Sequence, residues 1–342
     1  AQAPAPGRMK VSVLIPVYNK APYLRDCLDS VYAQTHADLE VLAVDDASTD
    51  ESLALLRAET DPRLRVIALP ENRGPGGAAN AGLEAATGTY IVRLDADDIA
   101  LPDRVERQVA YMEAHPEVGA SGGRVDLFGA EGASRAFPLE HDACMAELLF
   151  GVPVSQGASI LRTSTIREHE LRYEPSWPRI GEDWLFWTRM GRVARFGNIA
   201  APVIRYRRGA QNLGHGRDKV ADHEVLLREV FAWYGIPLSE RDLTLHLLTL
   251  RLFREAPTAG LVEAYRDWLD KLQALVLERD LFPGEAFRRR IATAWGGLFH
   301  YLADRDRGAA LAHLRLSGWR RDHALYLMKH WTHGLLRPRH RR

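Results

Sequence analysis

Cysteine is scarce in this chain: Cys27 and Cys144 are its only two, too few for a disulfide framework and in keeping with a reducing cytoplasm. Long hydrophobic runs are missing as well. Val13-Leu14-Ile15-Pro16-Val17-Tyr18 is among the longest, far short of the roughly 20 residues that a membrane span requires, so no transmembrane anchor is expected. Neither sign of charge is in excess, with 45 Lys plus Arg against 45 Asp plus Glu; the balance names no polyanionic partner and no nucleic acid. The opening segment 1–9 reads as a flexible leader without the apolar core of a signal peptide. No internal repeat stands out. What remains is an ordinary globular composition, 46% hydrophobic and 26% charged over 342 residues, enough for one large domain or two of common size.

From residue 11 to about 128, short β-rich runs at 11–17, 39–44, 64–69, 90–94 and 118–127 alternate with helical patterns near 21–34, 50–59, 76–87 and 102–114. That alternation predicts an α/β fold, a mostly parallel sheet flanked by helices. Pro22 and Pro102 suit first helical turns, and Ser48-Thr49-Asp50-Glu51 supplies capping residues. Ligands of such sheets bind at the carboxyl ends of the strands, which would gather residues 16–20, 45–48, 72–77 and 95–98. A further β-like run at 192–207 gives way near 218 to apolar residues at three-and-four spacing, a helical C-terminal appendage over 218–342.

The chemistry concentrates in Leu94-Asp95-Ala96-Asp97-Asp98. Side chains two apart on an extended segment point the same way, so Asp95 and Asp97 can converge on one divalent cation, Mg²⁺ or Mn²⁺, that completes its shell with water and phosphate oxygens. The plainer alternative is that Asp97 and Asp98 open the next helix. Asp45-Asp46 can accept hydrogen bonds from a base or ribose or else form a turn, and Tyr18 offers a flat face to a nucleobase.

Four motifs in this order, Val13-Leu14-Ile15-Pro16-Val17-Tyr18-Asn19, Val44-Asp45-Asp46-Ala47-Ser48-Thr49-Asp50, Asn72-Arg73-Gly74 with Asn80-Ala81-Gly82, and Gly88 through Asp98, resemble the GT-A glycosyltransferases of family 2 across roughly residues 10–207. The resemblance implies an inverting transfer of a sugar from a nucleotide-diphosphate donor, UDP by family habit, to a glycan or lipid-linked acceptor, with Mn²⁺ or Mg²⁺ held by the Asp-x-Asp motif. It places Pro16, Val17, Tyr18, Asp46, Asn72, Asp95, Ala96 and Asp97 on the donor, with Asp97 and Asp95 as metal ligands. Gly181-Glu182-Asp183-Trp184 resembles the family's Glu-Asp element, implying Asp183 as the base that takes the acceptor proton and Glu182 as its support; capping of the helix is the plainer role. The chain departs from the family pattern at Ala79, where an arginine is common and Arg73 could substitute. It departs again after the last strand, where Arg207 and Arg208 stand as candidates for diphosphate contact and His215 is the nearest histidine.

Two other readings use the same residues. Gly74-Pro75-Gly76-Gly77-Ala78-Ala79 satisfies a loose dinucleotide fingerprint with Asp95 downstream, the mark of an NAD(P)-dependent oxidoreductase. A donor-binding scaffold without turnover is the third. Residues 320–342 are rich in Lys and Arg, have Asp322 as their only acid, and space Leu325, Met328, Trp331 and Leu335 helically. Such a segment can lie on an anionic membrane, placing the protein peripherally at the inner face; the appendage could equally bind acceptor or make a homo-oligomer.

Overall fold

The computed structural model describes residues 9–129, 132–178, 180–209, 212, 216–319 and 321–336, and the chain divides into two compact units, Ala1–Asp218 and Lys219–Arg342. In the first unit the order is β1 (Val11–Val17), α1 (Ala21–Tyr32), β2 (Leu39–Asp45), α2 (Ser52–Ala58), β3 (Leu64–Ala68), α3 (Gly74–Ala85), β4 (Tyr90–Arg93) and β5 (Ile99–Ala100). It continues with α4 (Arg104–Ala114), β6 (Val118–Gly129), β7 (Ser134–Arg135), α5 (His141–Glu147), β8 (Ile160–Arg162), α6 (Thr163–Glu168), α7 (Glu182–Met190) and β9 (Arg195–Arg208). One sheet runs β3-β2-β1-β4-β8-β6-β9-β5, with β7 paired to β6. Its first half is parallel, Val11 opposite Leu39 and Tyr90, and β8 enters antiparallel between β4 and β6.

Burial on both faces explains why β1 and β2 read as nearly unbroken apolar runs. The structure corrects several boundaries. Helix α3 begins at Gly74 (φ 75°), two residues before the expected 76. Its many glycines oppose helix propensity, yet packing demands them: a Cβ on Gly82 would fall 1.9 Å from Leu14 Cδ1. Pro102 lies ahead of α4 rather than in its first turn, its carbonyl accepting from the Thr35 N–H at 2.9 Å. Asp50, one residue ahead of the α2 N-cap Glu51, accepts from Ser52 N–H through Oδ1 (2.9 Å) and from Ala21 N–H through Oδ2 (3.1 Å), so one carboxylate serves the starts of two helices. Strands β5, β7 and β8 were not read from the sequence, because two or three residues carry no periodicity.

The second unit comprises α8 (Lys219–Trp233), α9 (Glu240–Leu247), α10 (Ala259–Glu278), α11 (Gly284–Ala303), α12 (Arg307–Leu316) and α13 (Arg321–Leu336). Its core includes Tyr265, Trp268, Leu272, Phe287 and Phe299. His313, stacked 4.0 Å from Trp295 and bonded to its carbonyl at 2.9 Å, is pushed down to about 4 by burial; it is a neutral core histidine at pH 7. On α13, Leu325 and Met328 are exposed and Leu327 is buried. Residues 1–8, Arg320, residues 337–342, His215 and the side chains of Trp331 and Leu335 lie outside the described residues. No helix among the described residues is long and apolar enough to cross a membrane.

Candidate active site

The carboxyl ends of β1 and β2 are stitched together by Asn19. With φ at 52° it holds the left-handed conformation that asparagine tolerates, and its Oδ1 accepts from the N–H groups of Thr49 (2.8 Å) and Asp50 (3.3 Å). Asp46 Oδ1 accepts the Arg73 N–H at 2.7 Å, and the Asp46 carbonyl accepts from Asn72 Nδ2 at 3.2 Å. Asp45 instead closes a turn by accepting the Ser48 N–H at 3.2 Å. A cavity of about 460 Å³ opens over these loops, and Pro16, Val17, Tyr18, Asp46, Asn72, Asp95, Ala96 and Asp97 all line it. Arg73 and Ala79 are not in this lining; Ala79 is buried within α3.

The acidic pair reaches the cavity by a different route from the expected one. Strand β4 ends at Arg93, and Asp98 N–H bonds to the Asp95 carbonyl at 3.0 Å, so Asp95 and Asp97 converge through a turn rather than by alternation along a strand. Each has a cation beside it. Lys20 Nζ lies 2.8 Å from Asp97 Oδ2, and Arg93 Nη2 lies 3.6 Å from Asp95 Oδ1. Burial raises the Asp97 carboxyl, with Lys20 opposing it. Asp98 faces inward, 1% exposed, accepting the Arg207 N–H at 2.8 Å; burial and then Asp95 push it well above the carboxylate range. Among the described residues no group of three or more His, Cys, Asp or Glu could enclose a metal. Two carboxylates at an open cavity fit instead a hard cation that completes its shell with water and phosphate oxygens.

Arg93 and Lys20 were not singled out from the sequence. Arg93 is 4% exposed, and its Nε and Nη1 have no hydrogen-bond partner. Its signal was a charged residue inside the apolar run that forms β4. Lys20 and Gln156 carried none.

Glu182 and Asp183 open α7. Gly181 at φ 78° makes the entry that a Cβ would strain, and Trp184, Phe186 and Trp187 anchor the helix in the core, with Trp184 Nε1 donating to the Leu148 carbonyl at 2.7 Å. Asp183 Oδ1 accepts the Trp184 N–H at 2.9 Å. A second cavity of about 460 Å³ holds Asp183, and it shares Asp95, Gln156, Glu182 and Tyr206 with the first. Gly157 permits this junction, since a Cβ there would sit 2.9 Å from Asp95 Oδ2. Of the two arginines proposed for diphosphate, Arg208 lines the second cavity. Arg207 lines neither: its Nε donates to the Asp97 carbonyl at 2.9 Å and its guanidinium rests on Phe128 and Tyr23.

Burial first, then the adjacent Asp183, pushes Glu182 up to about 8, and burial raises Asp183 too. Two adjacent carboxyls that are both raised therefore share a proton at neutral pH, which leaves one of the pair able to accept another. The folded state binds that proton where the unfolded chain, at 4.5, has released it; stability must fall as pH rises from the unfolded value through about 8. Glu182→Gln should flatten this decline, which urea unfolding at about pH 6 and about pH 9 measures. An unchanged slope would show that Glu182 titrates normally.

Residues 12–160 match the family described as glycosyl transferase family 2. An uncharacterized glycosyltransferase of Haemophilus influenzae is 30% identical over 210 residues, 58% of this chain and 65% of that protein. The amylovoran biosynthesis glycosyltransferase AmsE of Erwinia amylovora is 42% identical over 128 residues, 36% of this chain and 48% of its own. The chain thus spans about half to two thirds of these relatives' lengths. In fold it is similar to residues 1–349 of S. aureus TarS, solved with UDP-GlcNAc: TM-score 0.59, 19% identity, covering 84% of this chain and 92% of that one.

Proposed function

We infer the function from the premise that, through residues 12–160, the chain belongs to glycosyl transferase family 2. It transfers a sugar from a nucleotide-diphosphate donor, UDP-linked, to a hydroxyl of a glycan or lipid-linked acceptor. The observation that carries this reading is the junction of two cavities, one lined by Tyr18, Asp46, Asn72, Asp95 and Asp97, the other by Asp183, with Glu182 common to both. The nucleoside sits over Pro16, Val17 and Tyr18, and Asp46 and Asn72 meet base and ribose.

Asp95 and Asp97 would hold Mn²⁺ or Mg²⁺, which would offset the charge of the diphosphate leaving group. Lys20 Nζ, 2.8 Å from Asp97 Oδ2, would share that carboxylate with the metal or give it up. Asp183 takes the proton of the attacking hydroxyl as the glycosidic bond forms on the face opposite the departing diphosphate, so the anomeric centre inverts in one displacement. Glu182 keeps its own proton and supports Asp183.

Relatives named for succinoglycan and amylovoran biosynthesis support a surface polysaccharide as the product. That chemistry suits a cytoplasmic site at the inner membrane face, with residues 320–342 as a peripheral contact and the helical unit free for acceptor or a second copy. The oxidoreductase reading is not favoured: β3 ends at Ala68 and α3 opens at Gly74, so the glycine turn does not follow the strand at once.

Calorimetric titration with UDP, GDP, dTDP and NADH, each with and without Mn²⁺, tests the donor assignment. Metal-dependent binding of one nucleoside diphosphate is expected, and binding of NADH alone would overturn it. Flotation with anionic liposomes, lost on deleting 320–342, checks the membrane contact.

A further inference from the structure

We propose that the cavity lined by Asp183 takes an acceptor bearing an anionic group, a phosphate or a carboxylate, close to the hydroxyl that receives the sugar. The inference rests on the glycosyl-transfer reading and names the acceptor class for the same site. Two guanidinium groups reach this cavity from separate strands, Arg135 on β7 and Arg208 at the end of β9. Both strands flank β6, so the two cations hang from one part of the sheet.

Arg135 is exposed, its guanidinium lies 4.9 Å from the Phe137 ring centre, and among the described residues it makes no ion pair. An arginine held against an aromatic face and locked in no ion pair presents a planar fork suited to an oxyanion. Arg135, in no ion pair among the described residues, brings positive charge to a cavity whose carboxylates include one already matched to another arginine. Asp95 already faces Arg93 at 3.6 Å, and Glu182 and Asp183 line the same space as Arg135 and Arg208. Arg135 also holds Asp183 down against burial, so the cation and the proposed base act at one place.

The contrast with the neighbouring cavity sharpens the point. That space, about 620 Å³ and also touched by Glu182, is lined by Glu71, Glu84 and Glu174 beside Trp177, with Arg73 as its cation. Its chemistry suits an uncharged polyol, and an anion would be repelled from it. The preference for negative charge is therefore particular to the side where Asp183 meets the acceptor.

Calorimetry on the full chain saturated with UDP and Mn²⁺, which keeps anions off the donor site, decides the matter. The probes are sn-glycerol 3-phosphate, D-glucuronate and, as the uncharged control, glycerol. At least one anion should bind while glycerol does not, the tighter one telling phosphate from carboxylate. Arg135→Gln should weaken that binding about tenfold or more, the loss of one charge-assisted contact, and Arg208→Gln should act in the same direction. UDP binding is measured first on each protein, so a variant that has lost its fold is recognised. Absence of binding by both anions, or equal binding by wild type and Arg135→Gln, would overturn the proposal. If wild type fails to bind UDP, the donor assignment falls separately, and the anion titration is repeated without UDP and judged by the same comparison.

Discussion

Asp183→Asn is expected to bind the donor as wild type does and to lose transfer by about a thousandfold, the range in which removal of a general base falls. The amide is close to isosteric and keeps an oxygen for the Trp184 N–H, now bonded at 2.9 Å, so helix α7 should start unchanged. What disappears is the capacity to take a proton. Donor affinity, read by UDP titration, and initial transfer rates separate the two effects. A variant with wild-type turnover would refute the base assignment, and one that no longer binds UDP would show that Asp183 shapes the donor site instead. The raised position of Asp183 adds a signature: wild-type transfer should climb with pH to a midpoint above the ordinary aspartate value of 3.8. Whatever activity the variant retains should lack that limb.

Arg104→Met should cost about 3 kcal/mol of stability, in the range for removing one partner from a buried charge cluster. Arg104 is fully buried at the start of α4, and its Nη2 donates to the carbonyls of Arg93 (2.5 Å) and Ser159 (3.3 Å) while Nε donates to Gln108 Oε1 (3.0 Å). One guanidinium thereby ties the end of β4 to the entry of β8. Burial lowers it to about 9, still charged at neutral pH, with Asp98 and Asp95 as its nearest opposing charges. Methionine fills similar volume but removes the bonds to the Arg93 carbonyl and Gln108 Oε1, while the Ser159 carbonyl keeps the Arg93 N–H at 3.0 Å, and it leaves Asp98 with less to balance it. Because Asp95 to Asp98 form one turn, Mn²⁺-dependent UDP binding should weaken alongside stability. Urea denaturation of the α/β unit measures the first effect; a midpoint within error of wild type would show that the cluster contributes nothing net.

Much of the site was legible because its residues lie where a parallel sheet must put them. Periodicity locates β1, β2, β3 and β4, and the rule that ligands meet the carboxyl ends of strands brings together Tyr18, Asp46, Asn72 and Asp97, which line one cavity. The alternation argument for Asp95 and Asp97 reached the right place for the wrong reason, since the chain turns after Arg93. Arg207 illustrates the limit of adjacency in sequence. Neighbouring residues on β9 point to opposite faces, so Arg208 meets the second cavity while Arg207 braces the Asp97 carbonyl.

The sequence by itself determined the layers and the chemistry of the chain: which runs could be strands, where the loops carry carboxylates, and where Glu182 and Asp183 enter a helix. These follow from local periodicity and from backbone preferences that neighbouring residues settle among themselves. Only the tertiary structure decided which cation faces which acid. Lys20 and Asp97 are 77 residues apart, Asp98 and Arg207 are 109 apart, and Arg135 reaches the cavity of Asp183 from a strand of two residues. Charge pairing depends on distance in space and on exclusion of water, and neither is written in local order. That is why the coupling of Glu182 to Asp183, the buried arginines and the presence of Arg135 and Arg208 in the cavity of Asp183 came into view only with the fold.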